Sequence, residues 1–309
     1  MREVFRHYNK RETIDGYLFV SPWIVAFLFL NLGPLIFSLV LSFCSWDGGP
    51  LTNLKFVGLA NYFKIFAGDY RIWKGLYNTG FYAVISVPCG VVLALFLAVA
   101  LNQEVRGIVF FRTIFYLPKV VGGPATVVLW MWLFNPTFGP INAFLSWIGV
   151  PPDMLPSWLL SEVWSKPALI IMSFWGVGGS MLIYLAGLQN VPPTLYEAAD
   201  LDGAGPIRKF WNVTVPMMTP TIFFNLVMAV IGSFQVFTQA YIMSANRTTG
   251  DPNESLLFYM LYLYRKAFED WEMGYASAMA WFLFLIILVF TLLILKSTPL
   301  WVYYEGERR

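Results

Sequence analysis

Residues that could do covalent or metal chemistry are scarce in this chain. It has one histidine, His7, and two cysteines, Cys44 and Cys89. That count argues against a His/Cys metal site, and no disulfide framework is implied. There is no Gly-Lys dipeptide, so no phosphate-binding GxxxxGK[ST] loop exists. If ATP supplies energy here, another chain binds it. What remains is a patterned polar stretch, Thr194 to Pro220, TLYEAADLDGAGPIRKFWNVTVPMMTP, between two long apolar runs.

The punctuation of that stretch predicts two short helices around a glycine turn. Thr194 and Glu197 are spaced as a capping box, each able to satisfy the other's backbone N–H. Gly203 suits the left-handed residue that ends a helix. Pro206 suits the first turn of the next helix. Pro216 disfavours helical geometry at Val215, so the second helix is expected to stop there. Leu195, Ala198, Ala199 and Asp202 share one face of the first helix. Ile207, Phe210, Trp211 and Val215 share an apolar face of the second, with Arg208, Lys209 and Asn212 pointing elsewhere. A loop lying on lipid head groups is one reading. The carboxylates Glu197, Asp200 and Asp202 oppose it, because anionic lipid favours a basic polar face.

The elements that must position this loop are membrane helices. The chain is 58% apolar, 18% aromatic and 12% charged, against about 25% charged in a soluble domain. Its net charge of +2 gives no argument for a nucleic-acid partner. Six spans are expected, at Leu18–Phe43, Asn78–Leu101, Phe110–Phe134, Pro167–Leu188, Thr221–Met243 and Tyr275–Leu295. Each is about 30–40 Å long, enough for a hydrocarbon core of about 30 Å. The first is too long for a signal-peptide core and lacks a convincing cleavage site. Placing both termini inside puts eleven Lys and Arg on the inner side against eight outside, with Lys119 in the third span uncounted. Residues 1–17 and 296–309 are then cytoplasmic tails, 18–295 one six-helix membrane domain, and 194–220 a cytoplasmic loop. The outer loops are long; the last carries Asp251, Glu254, Glu269, Asp270 and Glu272 against Arg247, Arg265 and Lys266. They read as solvated connections or as a docking surface. Trp73, Trp158 and Trp271 are expected to be interface anchors.

Polar groups inside spans usually face a bundle interior or a cavity. Asn225, Ser233, Gln235 and Gln239 lie on the fifth span. Asn225, Gln235 and Gln239 share a helical face and predict a polar stripe about 20 Å long. The stripe reads equally as a solute pathway or as interhelical hydrogen bonding, worth about 0.6 kcal/mol per bond. On the fourth span, Trp175 and Tyr184, with Ser173, flank Gly176, Gly178 and Gly179. Pro118, Gly122, Gly123 and Pro124 suggest a broken helix near Lys119.

Glu197-Ala198-Ala199, Asp202-Gly203-Ala204, Phe210 and Pro216 resemble the EAA loop of ABC importer permeases, with Val213 where that pattern has isoleucine. The resemblance extends through Ser42-Phe43, Trp46-Asp47, Phe56-Val57-Gly58-Leu59, Asn61-Tyr62, Trp73, Asn78-Thr79, Trp130, Trp132, Phe134-Asn135, Gly139, Asn142 and the tail Trp301–Glu307. This is the pattern of the first permease subunit of maltose and multiple-sugar importers. One departure is Gly250-Asp251-Pro252, where the family often has Gly-Gly-Pro. The resemblance implies an all-α membrane protein of the type I ABC importer permease fold, in a bacterial or archaeal cytoplasmic membrane. It implies that Glu197, Ala198, Ala199, Asp202, Gly203, Ala204, Phe210 and Pro216 contact a cytoplasmic ATPase. It further implies a second homologous permease, two ATPase subunits carrying ATP and Mg, and an extracytoplasmic solute-binding protein. The chain itself then binds no cofactor, and a sugar or oligosaccharide is the expected solute. Another small polar solute, such as a glycerol phosphate, is the alternative. A secondary transporter or a membrane-embedded enzyme would need ionisable clusters within the spans, which the spans lack.

Overall fold

The computed structural model describes residues 10–103, 105–244 and 252–303. The basic residues Arg2, Arg6, Arg308 and Arg309, the Gly250-Asp251 step, Arg247 and the tail from Tyr304 lie outside them. The chain divides into two compact units.

The first unit holds residues 1–68 and 266–282. Helix α1 (Lys10–Ala26) passes through a π turn (Phe27–Leu32) into α2 (Gly33–Ser42). The widened turn is closed by the Gly33 N–H on the Leu28 carbonyl. It accommodates Pro34, which has no N–H and whose ring would crowd the carbonyl four residues back in a regular helix. Two short strands, β1 (Cys44–Ser45) and β2 (Lys55–Phe56), pair antiparallel with Cys44 opposite Phe56. They are followed by α3 (Ala60–Ala67). Asp47 closes the hairpin, accepting from the Gly49 N–H at 3.0 Å and from Asn53 Nδ2 at 3.1 Å. Those donors, the Gly49 N–H foremost, hold the Asp47 carboxyl below its ordinary range. Asn61 Nδ2 donates to the Ser42 and Cys44 carbonyls, both at 2.9 Å. These are positions of the importer-like first outer loop, and here they tie α3 to the end of α2.

The second unit holds residues 69–265 and 283–309. Its axis is α4 (Tyr70–Leu101), started by Asp69, whose side chain accepts from the Arg71 N–H. Arg112 ends it, donating Nε and Nη2 to the Leu101 carbonyl at 3.1 and 2.8 Å. Then come α5 (Ile108–Val120) and α6 (Gly123–Leu133), α7 (Pro140–Trp147), α8 (Ser165–Phe174) and α9 (Gly178–Gln189). They are followed by α10 (Pro193–Leu201), α11 (Pro206–Lys209), α12 (Val215–Phe234), α13 (Thr238–Met243) and α14 (Tyr259–Phe268). The long α15 (Met273–Trp301) closes the chain. One buried cluster gathers Met181, Tyr184, Leu185 and Leu188 of α9 with Ala94 and Ala98 of α4 and Met218 of α12.

Four helices among the described residues are long and apolar enough to cross a membrane: Glu12–Ser42, Tyr70–Leu101, Pro206–Met243 and Met273–Trp301. Two bent pairs bring the number to six if each pair makes one crossing. The expected third span is not a straight rod; α5 and α6 meet at 100° across Val121 and Gly122. Pro118 and Pro124 remove backbone donors on both sides of that break. The fourth bends by 42° between α8 and α9.

That second bend serves a close approach. A Cβ added at Gly178 would overlap the Phe115 carbonyl oxygen of α5. At Gly176 the nearest such atom is the Ser173 carbonyl oxygen at an ordinary 3.6 Å. Gly178→Ala is therefore expected to force α5 and α9 apart at about 1–3 kcal/mol. Thermal unfolding in detergent should fall by several degrees, at about 2–4 °C per kcal/mol, while Gly176→Ala leaves it unchanged. Equal midpoints for the two variants would refute the close packing.

Asn78 and Thr79 gain a structural role. Asn78 Nδ2 donates to the Glu254 and Leu257 carbonyls at 2.8 and 2.9 Å. Thr79 Oγ1 accepts from the Tyr259 N–H at 3.0 Å. The pair clamps the 254–259 backbone to α4. Asn142 acts similarly, accepting from Trp158 Nε1 at 2.8 Å and donating to the Pro156 carbonyl at 3.0 Å. Trp158 is thus a buried core residue rather than an interface anchor, because its indole N–H has a protein partner. Trp73 and Trp271 are exposed. Several charges of the segments between helices are paired within their own units: Glu254 with Arg71 Nε at 2.7 Å, Glu272 with Lys64 at 2.6 Å, and Asp270 with Lys266 at 2.9 Å.

Candidate functional site

Residues 194–220 form a hairpin of helices that continues into α12. Helix α10 begins at Pro193, with Pro192 as its cap and the Leu195 N–H on the Pro192 carbonyl at 3.1 Å. The expected capping box is therefore absent. Pro193 takes the first helical position, which puts Thr194 inside the helix and out of the cap. Thr194 and Glu197 are both exposed, and Glu197 has no hydrogen-bond or ion-pair partner among the described residues.

The glycine turn forms as expected. Gly203 has φ +71°. Its N–H bonds the Asp200 carbonyl at 3.0 Å, and the Ala204 N–H bonds the Ala199 carbonyl at 2.9 Å. This is a complete Schellman closure. Gly205 caps α11 and Pro206 leads it. An ion pair between Lys209 and Asp200 joins the two arms. A hydrogen bond of 3.0 Å between the Tyr196 and Thr214 hydroxyls ties them again at the base.

The second arm does not stop at Val215. A π turn over Phe210–Thr214, with the Val215 N–H on the Phe210 carbonyl, carries α11 into α12 without interruption. The widened turn makes room for Pro216, as its counterpart does for Pro34. The turn also splits the expected apolar face: Ile207 and Trp211 are exposed, whereas Phe210 and Val215 are half-buried. Phe210 lies edge-on to Trp211 at 5.2 Å.

Between the arms lies a groove of about 380 Å³. Leu195, Ala198, Ala199 and Asp202 line it from α10, as their shared face predicts. Ala204, Arg208, Lys209, Asn212 and Val213 line it from the second arm. Glu197 stands outside the groove. At the tip, Leu201 is 91% exposed and Ile207 78%.

Within the same unit, α4, α8, α9, α12 and α13 surround a second cavity of about 270 Å³. Three of the expected pathway residues, Asn225, Ser233 and Gln239, line it. Gln235 does not. The stripe requires one continuous helix, but α12 ends at Phe234. Gln235 caps it with its N–H on the Gly232 carbonyl at 3.1 Å and is exposed. Gln239 then returns to the cavity on α13. Trp175 packs edge-on against Trp130 at 5.8 Å and is not part of the lining. Tyr184 is fully buried in the apolar cluster, its hydroxyl without a partner among the described residues.

Sequence reasoning missed Ser86, Gly90, Ser180 and Gly232, all of which line this cavity. Tyr82, Ser86 and Gly90 recur every four residues on α4, a signal the sequence did contain. One Nδ2 hydrogen of Asn225 and the hydroxyl protons of Ser233 and Ser173 are spent on their own helices, on the Thr221, Val230 and Ile170 carbonyls at 3.0, 2.7 and 2.6 Å. Their oxygen lone pairs, with the second Asn225 N–H and the Gln239 amide, offer both acceptors and donors to a polar ligand.

A bundle of long apolar helices with a polar-lined cavity and a capped helical hairpin is the architecture expected of a membrane transport subunit. Residues 65–299 match the family of binding-protein-dependent transport system inner membrane components, and the chain belongs to that family. It is 42% identical to the probable ABC transporter permease protein YesP of Bacillus subtilis, over 96% of this chain and 94% of that one. It is 34% identical to the lactose transport system permease protein LacF of Rhizobium radiobacter, covering 91% and 92%. Its fold matches a solved chain of a bacterial ABC transporter involved in the import of the acidic polysaccharide alginate. That match has a TM-score of 0.80, 24% identity, and coverage of 94% and 96%.

Proposed function

We propose that the chain is one permease subunit of a bacterial or archaeal ABC importer that carries a sugar or oligosaccharide inward by alternating access. In this reading six spans cross the cytoplasmic membrane with both termini inside. The 194–220 loop sits in a cleft of a cytoplasmic ATPase, which holds ATP and Mg. A second, related permease completes the pathway, and a solute-binding protein delivers the solute from outside.

The observation that carries the reading is the hairpin tip. Its backbone is closed by the Schellman hydrogen bonds, yet Leu201, Ile207 and Trp211 are exposed and the Glu197 carboxylate has no partner among the described residues. Burying each of the three apolar side chains in a partner is worth about 1.5–3 kcal/mol. A relative named as a lactose transport system permease, and the polar lining around Asn225 and Ser233, support a saccharide as the solute.

Purification of the tagged chain from its own membranes tests this. An ATPase and a second permease are expected in stoichiometric amounts by mass spectrometry. Glu197→Lys should lose the ATPase while keeping the second permease. Retention of the ATPase with normal sugar uptake would overturn the coupling role.

A further inference from the structure

The segment Trp301–Tyr303, which the coupling reading leaves without a duty, crosses both roots of the inner loop. Val302 is buried, its N–H on the Thr298 carbonyl at 2.9 Å. The Tyr303 N–H donates to Thr219 Oγ1 at 2.9 Å. Thr219 is itself buried and donates its hydroxyl proton to the Pro216 carbonyl at 2.6 Å. That carbonyl lies in the first turn of α12, where the second arm of the loop becomes a span. Trp301 packs on Phe223 of α12, ring centroids 6.1 Å apart.

The other root is reached from the same place. Tyr303 shares a cavity of about 190 Å³ with Asn190 and Val191, which join α9 to α10, and with Met217, Pro220 and Thr221 of α12. The two roots touch directly beneath it. A Cβ added at Gly187 would come within 2.8 Å of Thr221 Oγ1 and 3.0 Å of Met218 Cε. The end of α15 is therefore stapled across the point where the loop leaves and re-enters the bundle.

We propose that Thr219 is a positioning residue for energy coupling. Through the relay from the Tyr303 N–H to its hydroxyl and on to the Pro216 carbonyl, it makes α15 move with the inner loop. This inference rests on the coupling reading. Without the staple the loop still docks on the ATPase, but its displacement is taken up at the roots instead of reaching the last span.

The test uses the whole importer in proteoliposomes, measuring solute uptake and ATP hydrolysis together. Thr219→Val keeps the shape and removes both hydrogen bonds. Thr219→Ser keeps both. The valine variant is expected to assemble with the ATPase and consume at least about fivefold more ATP per solute carried, an uncoupling of about 1 kcal/mol. The serine variant should stay within about twofold of wild type. An unchanged ratio in the valine variant overturns the proposal, as does a serine variant as impaired as valine. A valine variant that fails to assemble while serine assembles overturns it too, because the hydroxyl would then serve folding. Failure of the coupling reading itself is distinguishable, since Glu197→Lys would then leave the ATPase bound.

Discussion

Gly203→Pro is expected to lower solute uptake about a hundredfold while the protein still inserts and binds its second permease. Gly203 sits at φ +71° and donates its N–H to the Asp200 carbonyl. Proline fixes φ near −65° and has no N–H. Proline cannot reach that region, so the turn must rearrange at a cost of at least about 1–3 kcal/mol, and the lost hydrogen bond adds about 1 kcal/mol. At about 1.4 kcal/mol per tenfold, the loop shape is depleted by about two orders of magnitude. No heavy atom lies within 4 Å of a Cβ placed at Gly203, so the effect is conformational and not steric. Gly203→Asn tolerates the left-handed region and should retain most uptake. Wild-type uptake by the proline variant in vesicles would show that the loop shape carries no function.

Gly232→Phe is expected to cut uptake more than tenfold with no loss of assembly. Gly232 lines the 270 Å³ cavity, and a Cβ there meets no heavy atom within 4 Å. The branch point of the added side chain is therefore uncrowded, its ring takes up part of the cavity volume, and phenylalanine is a slightly better helix former than glycine. Gly90, across the cavity on α4, has the same freedom, and Gly90→Phe should behave alike. Neither substitution removes the hydrogen bonds of Asn225 or Ser233. If those polar groups are only interhelical glue, uptake by an assembled complex stays near wild type. That result would remove the cavity from the solute's route.

The legible parts of the sequence were those governed by local physics. Gly203 and Pro206 marked the hairpin because left-handed backbone and a missing N–H are properties of single residues. The apolar runs marked the long helices for the same reason. Pro216 misled because its rule assumes a regular helix, and a π turn relaxes that assumption. The Thr194–Glu197 box failed because Pro193 competed for the start of the same helix. Gln235 was misplaced because nothing at Gln235-Val236-Phe237 signals a break; α12 ends there although no glycine or proline occupies the step. Tyr184 and Trp175 read as polar or aromatic pathway groups, yet tertiary packing places one in an apolar cluster and the other against Trp130. Asn78 and Thr79 carried a resemblance without a reason, since the backbone they hold lies about 180 positions away in sequence.

The π turn at Phe210–Thr214 has a consequence for how motion could travel. Because it keeps α11 and α12 in one piece, Ile207 at the hairpin tip and Ser233 at the cavity stand on a single rod about 39 Å long. A rod transmits rotation as well as push. Each residue of a helix corresponds to about 100° of turn, so a change of one residue in the widened turn would swing Asn225 and Ser233 to a different side of the bundle. The five residues of that turn thus set the phase between what the loop feels and what the cavity presents.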